Sequence, residues 1–249
     1  MSAPTPPPPE PRQRWRLTFR RDPVPADLVG RAAIEAWQAA LEQSGLPTAQ
    51  LDAAGRPRIA FGAPLQAAAE GEAELAEIFL AQRVPAWRVR EGLEGRLPTG
   101  HALLWAEDIW LGAPPLPGRV VAADWRIELD PPVGGTGGVD RADLAAAVAR
   151  LLAARMLPRT RAKGGVDKEY DLRPLLDGVQ VVDAAADSPL AIRIRTRFVP
   201  ELGAGRPEEV AAALGAECGF ELVLARIVRE RLILAGERLI LGGTMTPTP

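Results

Sequence analysis

The chain has 249 residues, 47% of them hydrophobic and 25% charged, with a formal net charge of −2. That length can bury a substantial core and suits two domains of about 100 to 120 residues. A near-neutral balance exerts no global pull on nucleic acid or an anionic membrane, so any polyanion site has to be a local patch.

Residues 1–13, with Pro4, Pro6 to Pro9 and Pro11, bury too little to repay ordering and predict a disordered, partly polyproline tail. Trp15, Leu17 and Phe19 then alternate with Arg16, Thr18 and Arg20, the period of a half-buried strand. A helix is expected from Ala26 to Ser44 with Val29, Ala33, Trp37, Ala40 and Leu41 as its apolar stripe, stopped by Gly45 and Pro47. Strands follow at Arg58–Ala63 and Ala73–Ala81, then a helix opened by Pro85, then a strand from His101 to Leu111. The order strand, helix, strand, strand, helix, strand is the split βαβ pattern of a ferredoxin-like domain, here spanning 14–111.

The segment 112–118, Gly-Ala-Pro-Pro-Leu-Pro-Gly, breaks every period and predicts a linker. After it the plan begins again over 119–241. Val121, Ala123, Trp125, Ile127 and Leu129 are expected on one face of a strand and Asp124, Arg126 and Glu128 on the other. The loop Gly134 to Gly138 leads to Asp140, a predicted N-cap for a helix to Met156. A glycine loop between strand and helix invites a phosphate-cradle reading, yet neither dinucleotide nor P-loop spacing fits it and no lysine follows. Further strands are expected at Gly178–Asp183, Leu190–Phe198 and Phe220–Val228, with a helix opened by Pro207 and closed at Leu214-Gly215. Cys218 reads as a turn residue, 232–234 and 239–241 as an added terminal hairpin, and 242–249 as a disordered tail.

Both lysines and the only tyrosine fall in one stretch between α and β signals, around Arg159, Arg161, Lys163, Lys168, Tyr170 and Arg173. Residues 155–173 hold six basic side chains against three acidic ones, in an extended arm or hairpin. Arg193, Arg195 and Arg197 alternate on one strand and so share a sheet face, where they could meet a nucleic-acid backbone. In the usual ferredoxin-like order that strand lies beside the one carrying Asp124 and Glu128, and cross-strand pairs would consume part of the charge.

One histidine and one cysteine narrow the chemistry. Zinc sites, iron–sulfur clusters and thiol redox pairs need several such ligands. A nucleophile–histidine arrangement would have to use His101, at the start of an apolar strand. The sequence therefore predicts no metal, no cofactor and no catalytic residue. A single cysteine suits a reducing compartment, the Pro-rich rather than apolar start predicts no signal peptide, and no run of about 18 to 20 apolar residues occurs, so a cytoplasmic protein without membrane contact is expected.

The run Tyr170-Asp171-Leu172-Arg173-Pro174-Leu175-Leu176, with Gly205-Arg206-Pro207-Glu208-Glu209-Val210 and Arg226-Ile227-Val228-Arg229, resembles the radical SAM-linked proteins, an uncharacterised bacterial domain family. Its members are encoded beside, or fused to, cobalamin-binding radical SAM proteins. The resemblance spans roughly 14 to 234 and includes Gly45-Leu46-Pro47, Pro57-Arg58-Ile59 and Glu72-Ala73-Glu74-Leu75. Where relatives read Ser-His-Leu-Asp this chain has Pro25-Ala26-Asp27-Leu28, and where they read Gly-Phe-Asn-Pro-His-Pro it has Ala53-Ala54-Gly55-Arg56-Pro57. Both family histidines are missing, which makes this a divergent member. The resemblance implies a radical SAM protein as partner.

Together these readings predict an α+β protein of two tandem ferredoxin-like (βαββαβ) domains with antiparallel sheets. The expected function is that of a non-catalytic accessory protein binding RNA or a protein partner for a radical SAM enzyme. Tandem domains of this kind also look like CRISPR repeat-cleaving nucleases, which makes an RNA-processing endonuclease one alternative and a ligand-free scaffold another.

Overall fold

The computed structural model describes residues 9–49, 52, 54–130, 140–163, 166–183, 190–237 and 241, with the backbone alone at 161–163 and 166. The predicted glycine loop 134–138, most of the proline-rich tail, the C-terminal tail 242–249 and residues 239–240 of the terminal hairpin's second arm lie outside the described residues. The protein is a mixed α/β fold with mostly antiparallel pairing and few helices. It divides into two compact units, Met1–Val120 and Val121–Pro249.

The first unit runs β1 (Gln13–Arg21), α1 (Arg31–Gln43), β2 (Ile59–Phe61), β3 (Glu70–Leu80), α2 (Ala86–Leu93) and β4 (His101–Ile109). Its strands are ordered β2-β3-β1-β4, each neighbour antiparallel. Alternation puts Trp15, Leu17 and Phe19 on one face of β1, and the register sets Trp15 against Ile78 and Leu17 against Ala76 and Ala106. Trp37 and Leu41 of α1 and Val89 and Leu93 of α2 belong to the same buried cluster, so both helices cover that one face. The expected helix start at Ala26 is corrected: a 3-10 turn, Ala26–Leu28, is followed by Gly30 at φ 63°, and α1 begins only at Arg31. A side chain at that φ would strain against its own backbone, so the sharp entry depends on glycine.

The opposite face of the first sheet buries charge. Glu77, 0% exposed, accepts from Arg14, and Arg16 Nη2 reaches its Oε1 at 2.9 Å. Arg14 also donates to the carbonyls of Ala113 and Pro114. The 112–118 segment thus packs onto this unit, with Leu116 fully buried in a 3-10 turn, Leu116–Arg119.

The second unit runs β5 (Val120–Leu129), α3 (Arg141–Ala153), β6 (Pro158–Lys163), β7 (Val166–Asp171), β8 (Leu176–Val182), β9 (Leu190–Val199), β10 (Gly203–Ala204), α4 (Pro207–Cys218) and β11 (Leu224–Leu234). β9 lies between β5 and β8, antiparallel to both, and β11 flanks β5 on its other side. Asp140 caps α3 as expected, its Oδ1 accepting from Ala142 N at 3.3 Å. On β5 the inward face holds Ala123, Trp125, Ile127 and Leu129, whereas Val121 is exposed. The supposed polar face is buried too, with Asp124 at 1% exposure.

Three further expectations are corrected. α4 does not close at Leu214-Gly215 but continues to Cys218, so Cys218 is helical rather than a turn residue. Gly215 sits inside the helix because the chain folds back over it: a Cβ there would meet Phe220 O at 2.7 Å. The last strand, expected at Phe220–Val228, is β11, Leu224–Leu234, and takes in 232–234.

Candidate functional site

β6 and β7 form a two-stranded ribbon of their own. Its register pairs Arg159 with Tyr170, Arg161 with Lys168 and Lys163 with Val166, and Thr160 with Glu169 and Ala162 with Asp167. Opposed residues of an antiparallel ladder share a face and successive ones alternate. Positions 159, 161, 163 and 168 therefore place four basic residues on one face together with Tyr170. Asp167, Glu169 and Asp171 occupy the other.

The base of the ribbon is anchored. Tyr170 Oη donates to Glu209 in the first turn of α4. Asp171 Oδ1 accepts from the main-chain N–H of Leu157 at 2.7 Å and of Arg173 at 2.9 Å, stitching entry and exit together. Arg159 is half-buried, and its Nε has no hydrogen-bond partner among the described residues. Lys168 is exposed.

Arg173 serves the fold. Its guanidinium donates to the carbonyls of Leu152 (3.2 Å), Ala154 (3.1 Å) and Leu176 (2.9 Å). Leu152 and Ala154 stand at the end of α3, where helix carbonyls have lost their intrahelical partners. Arg173 thus ties that end to the ribbon's exit, and three of its donors are occupied.

The β9 arginines split. Arg195 faces its register partner Asp124 with bonds of 2.6 and 2.9 Å, which hold the guanidinium above its ordinary pKa. Arg231 shares the same carboxylate at 2.8 Å. Arg193 donates to Glu230 at 3.1 Å. Arg197 is exposed, opposite Ala122.

Lys168 to Asp171, Pro174 and the 200–203 turn enclose a recess of about 450 Å³. Glu169, Asp171 and Glu201 line it beside a single lysine, a balance unsuited to phosphate. Cys218, whose thiol burial pushes above its ordinary pKa, is a poor nucleophile. Among the described residues no cluster of three or more His, Cys, Asp or Glu could hold a metal ion, and no helix is long and apolar enough to cross a membrane.

A second concavity lies in the first unit, where sequence reasoning placed no site. A cavity of about 320 Å³ opens where the chain bends at Val29-Gly30 into α1. Phe19, Trp37 and Phe61 supply aromatic walls, with Ile34 and Ile59 at the side. Trp37, 0% exposed, packs against Phe19 and Phe61 at ring distances of 4.8 and 5.8 Å. His101 stacks on Phe19 at 5.6 Å and meets Trp37 edge-on at 5.7 Å. Burial lowers its pKa, and Nδ1 lies 3.2 Å from Thr99 O. Arg21 donates to the carbonyls of Leu65, Gln66, Ala67 and Ala69, fixing the loop that forms the far wall. The sequence signal was a lone histidine opening a strand; its aromatic neighbours come from β1, α1 and β2, which only folding brings together.

A family profile described as an uncharacterized protein conserved in bacteria (DUF2344) matches residues 54–203, more than half of the chain, and the chain belongs to that family. No curated protein is similar in sequence. Among solved structures, a chain of the crystal structure of a Cbf5-Nop10-Gar1 complex matches with a TM-score of 0.49 and 10% identity over 88% of this chain and 48% of that one. A chain of the archaeal box H/ACA sRNP Nop10-Cbf5 complex matches with a TM-score of 0.43 and 9% identity over 88% and 47%. The chain spans about half the length of those two chains.

Proposed function

We propose that this member of the DUF2344 family is a non-catalytic accessory protein of two ferredoxin-like units that holds single-stranded RNA on its β6–β7 ribbon. The observation that carries this reading is the register of the ribbon, which sorts four basic positions onto one face and three acidic ones onto the other. A phosphate backbone follows such a face by charge alone, without base-specific contacts. Arg161, Lys163 and Lys168 are the contacts, with Arg159 on the same ribbon face; Arg197 is an exposed cation of β9, and Arg173, Arg193 and Arg195 hold the fold. The strand orders β2-β3-β1-β4 and β8-β9-β5-β11 support the tandem ferredoxin-like architecture. The resemblance to radical SAM-linked proteins supplies the enzyme such a protein would serve. Tyr170 bound to Glu209, with no histidine in the second unit, favours binding over cleavage.

Titrating an unstructured oligouridylate into the purified chain at about 150 mM salt tests this, with an expected Kd in the range of about 10⁻⁴ to 10⁻⁶ M. Reversing charge with Lys163→Glu and Lys168→Glu should abolish binding. Absence of binding by the wild type would leave a ligand-free scaffold, and equal binding by the reversed variant would move the site elsewhere.

A further inference from the structure

We infer that the cavity of the first unit binds a small, neutral, planar ring compound carrying an N–H or O–H donor, which His101 Nε2 accepts. This site is independent of the ribbon. Its volume, about 320 Å³, is at the lower end of the roughly 300 to 1,000 Å³ of small-ligand pockets, so one ring or two fused rings fit. The walls select ring systems, because the partly exposed rings of Phe61 and His101 face a guest while the buried Phe19 and Trp37 back them at steep angles, which suits offset and edge-on contacts.

Charge selects a neutral guest. The ionisable groups on the wall besides His101 are Arg21 and Glu74, of opposite sign, and the Arg21 guanidinium is engaged by four carbonyls. A charged ligand would surrender its hydration and meet a like charge beside the opposite one.

The polar handle follows from the tautomer. Thr99 O can only accept, so the ring nitrogen facing it, Nδ1, carries the proton. In the neutral ring that leaves Nε2 as an acceptor. Among the described residues no side chain donates a hydrogen bond to it. His101 also lines a neighbouring recess of about 500 Å³ between the end of α2 and β4, so its ring stands at a wall reached from solvent.

Calorimetric titration with indole, which has the donor, and 1-methylindole, which lacks it, tests the assignment on the full chain. The wild type should bind indole at least about tenfold more tightly, the factor that one hydrogen bond of about 1.4 kcal/mol provides. His101→Phe keeps the stacking surface and removes the acceptor, so it should bind the two probes alike. Ala33→Leu, which fills the cavity from α1, should weaken both. No indole binding by the wild type, equal affinity for the two probes, or full affinity in Ala33→Leu would overturn the proposal. Discrimination that survives in His101→Phe would trace it to a methyl clash and overturn the role of the histidine.

Discussion

In the first unit the chain passes from α1 to β2 through an irregular loop, whereas in the second the corresponding passage from α3 to β8 carries the β6–β7 ribbon. The strand orders around these passages correspond, β2-β3-β1-β4 and β8-β9-β5-β11. Both units also bury a carboxylate between two arginines: Glu77 with Arg14 and Arg16, Asp124 with Arg195 and Arg231. What differs is what the scaffold displays. One unit turns its helix entry at Gly30 into an aromatic cavity, and the other projects a charge-sorted ribbon. Shared features of this kind serve stability, and function is sought in the additions.

The largest effect should come from the shared feature. Glu77→Gln leaves two buried guanidinium groups facing an amide and should cost about 3 to 5 kcal/mol in urea unfolding, with Asp124→Asn costing a similar amount in the second unit. A cost below about 1 kcal/mol in either would break the parallel between the units. Next, Arg173→Ala removes the charged donor that closes the end of α3, for about 1.5 to 3 kcal/mol, while RNA affinity stays unchanged. A drop in affinity without a change in stability would return Arg173 to the binding face.

A smaller effect belongs to His101. Burial lowers its folded pKa, so protonation favours the unfolded chain. Its contribution is present above the unfolded value of about 6.5 and is lost as pH falls below that toward the folded value. Arg21 works in the same direction, while Asp22 and the Thr99 and Pro98 carbonyls oppose it. Wild-type stability should therefore fall more steeply than that of His101→Phe on acidification through this range, as read from unfolding midpoints; parallel curves would show the ring to be unperturbed. The smallest stability change, within about 0.5 kcal/mol, is expected for Lys163→Ala with Lys168→Ala on the ribbon.

Local signals made much of the architecture legible. Alternation in Trp15, Leu17 and Phe19, the Asp140 cap and Pro207 at the first turn of α4 each act within a few residues. The Arg195–Asp124 pair followed from strand order, because cross-strand neighbours are fixed by topology. The Gly215 position was misread since its reason is a chain reversal over the helix, not helix termination. Arg173 reads as part of the basic stretch because the carbonyls it serves belong to a helix ending some 20 residues earlier. The cavity was hidden for the same physical cause: Phe19, Trp37, Phe61 and His101 are scattered over four elements.

The central claim, that the ribbon's basic face holds RNA phosphates, meets its most direct test in the salt dependence of oligouridylate binding. Each phosphate contact on a single strand contributes about 0.7 to the slope of log K against log salt. If Lys163 and Lys168 are contacts, the double alanine variant should show a slope shallower than the wild type by about 1.4, with folding unchanged. Parallel lines for the two proteins would contradict the account.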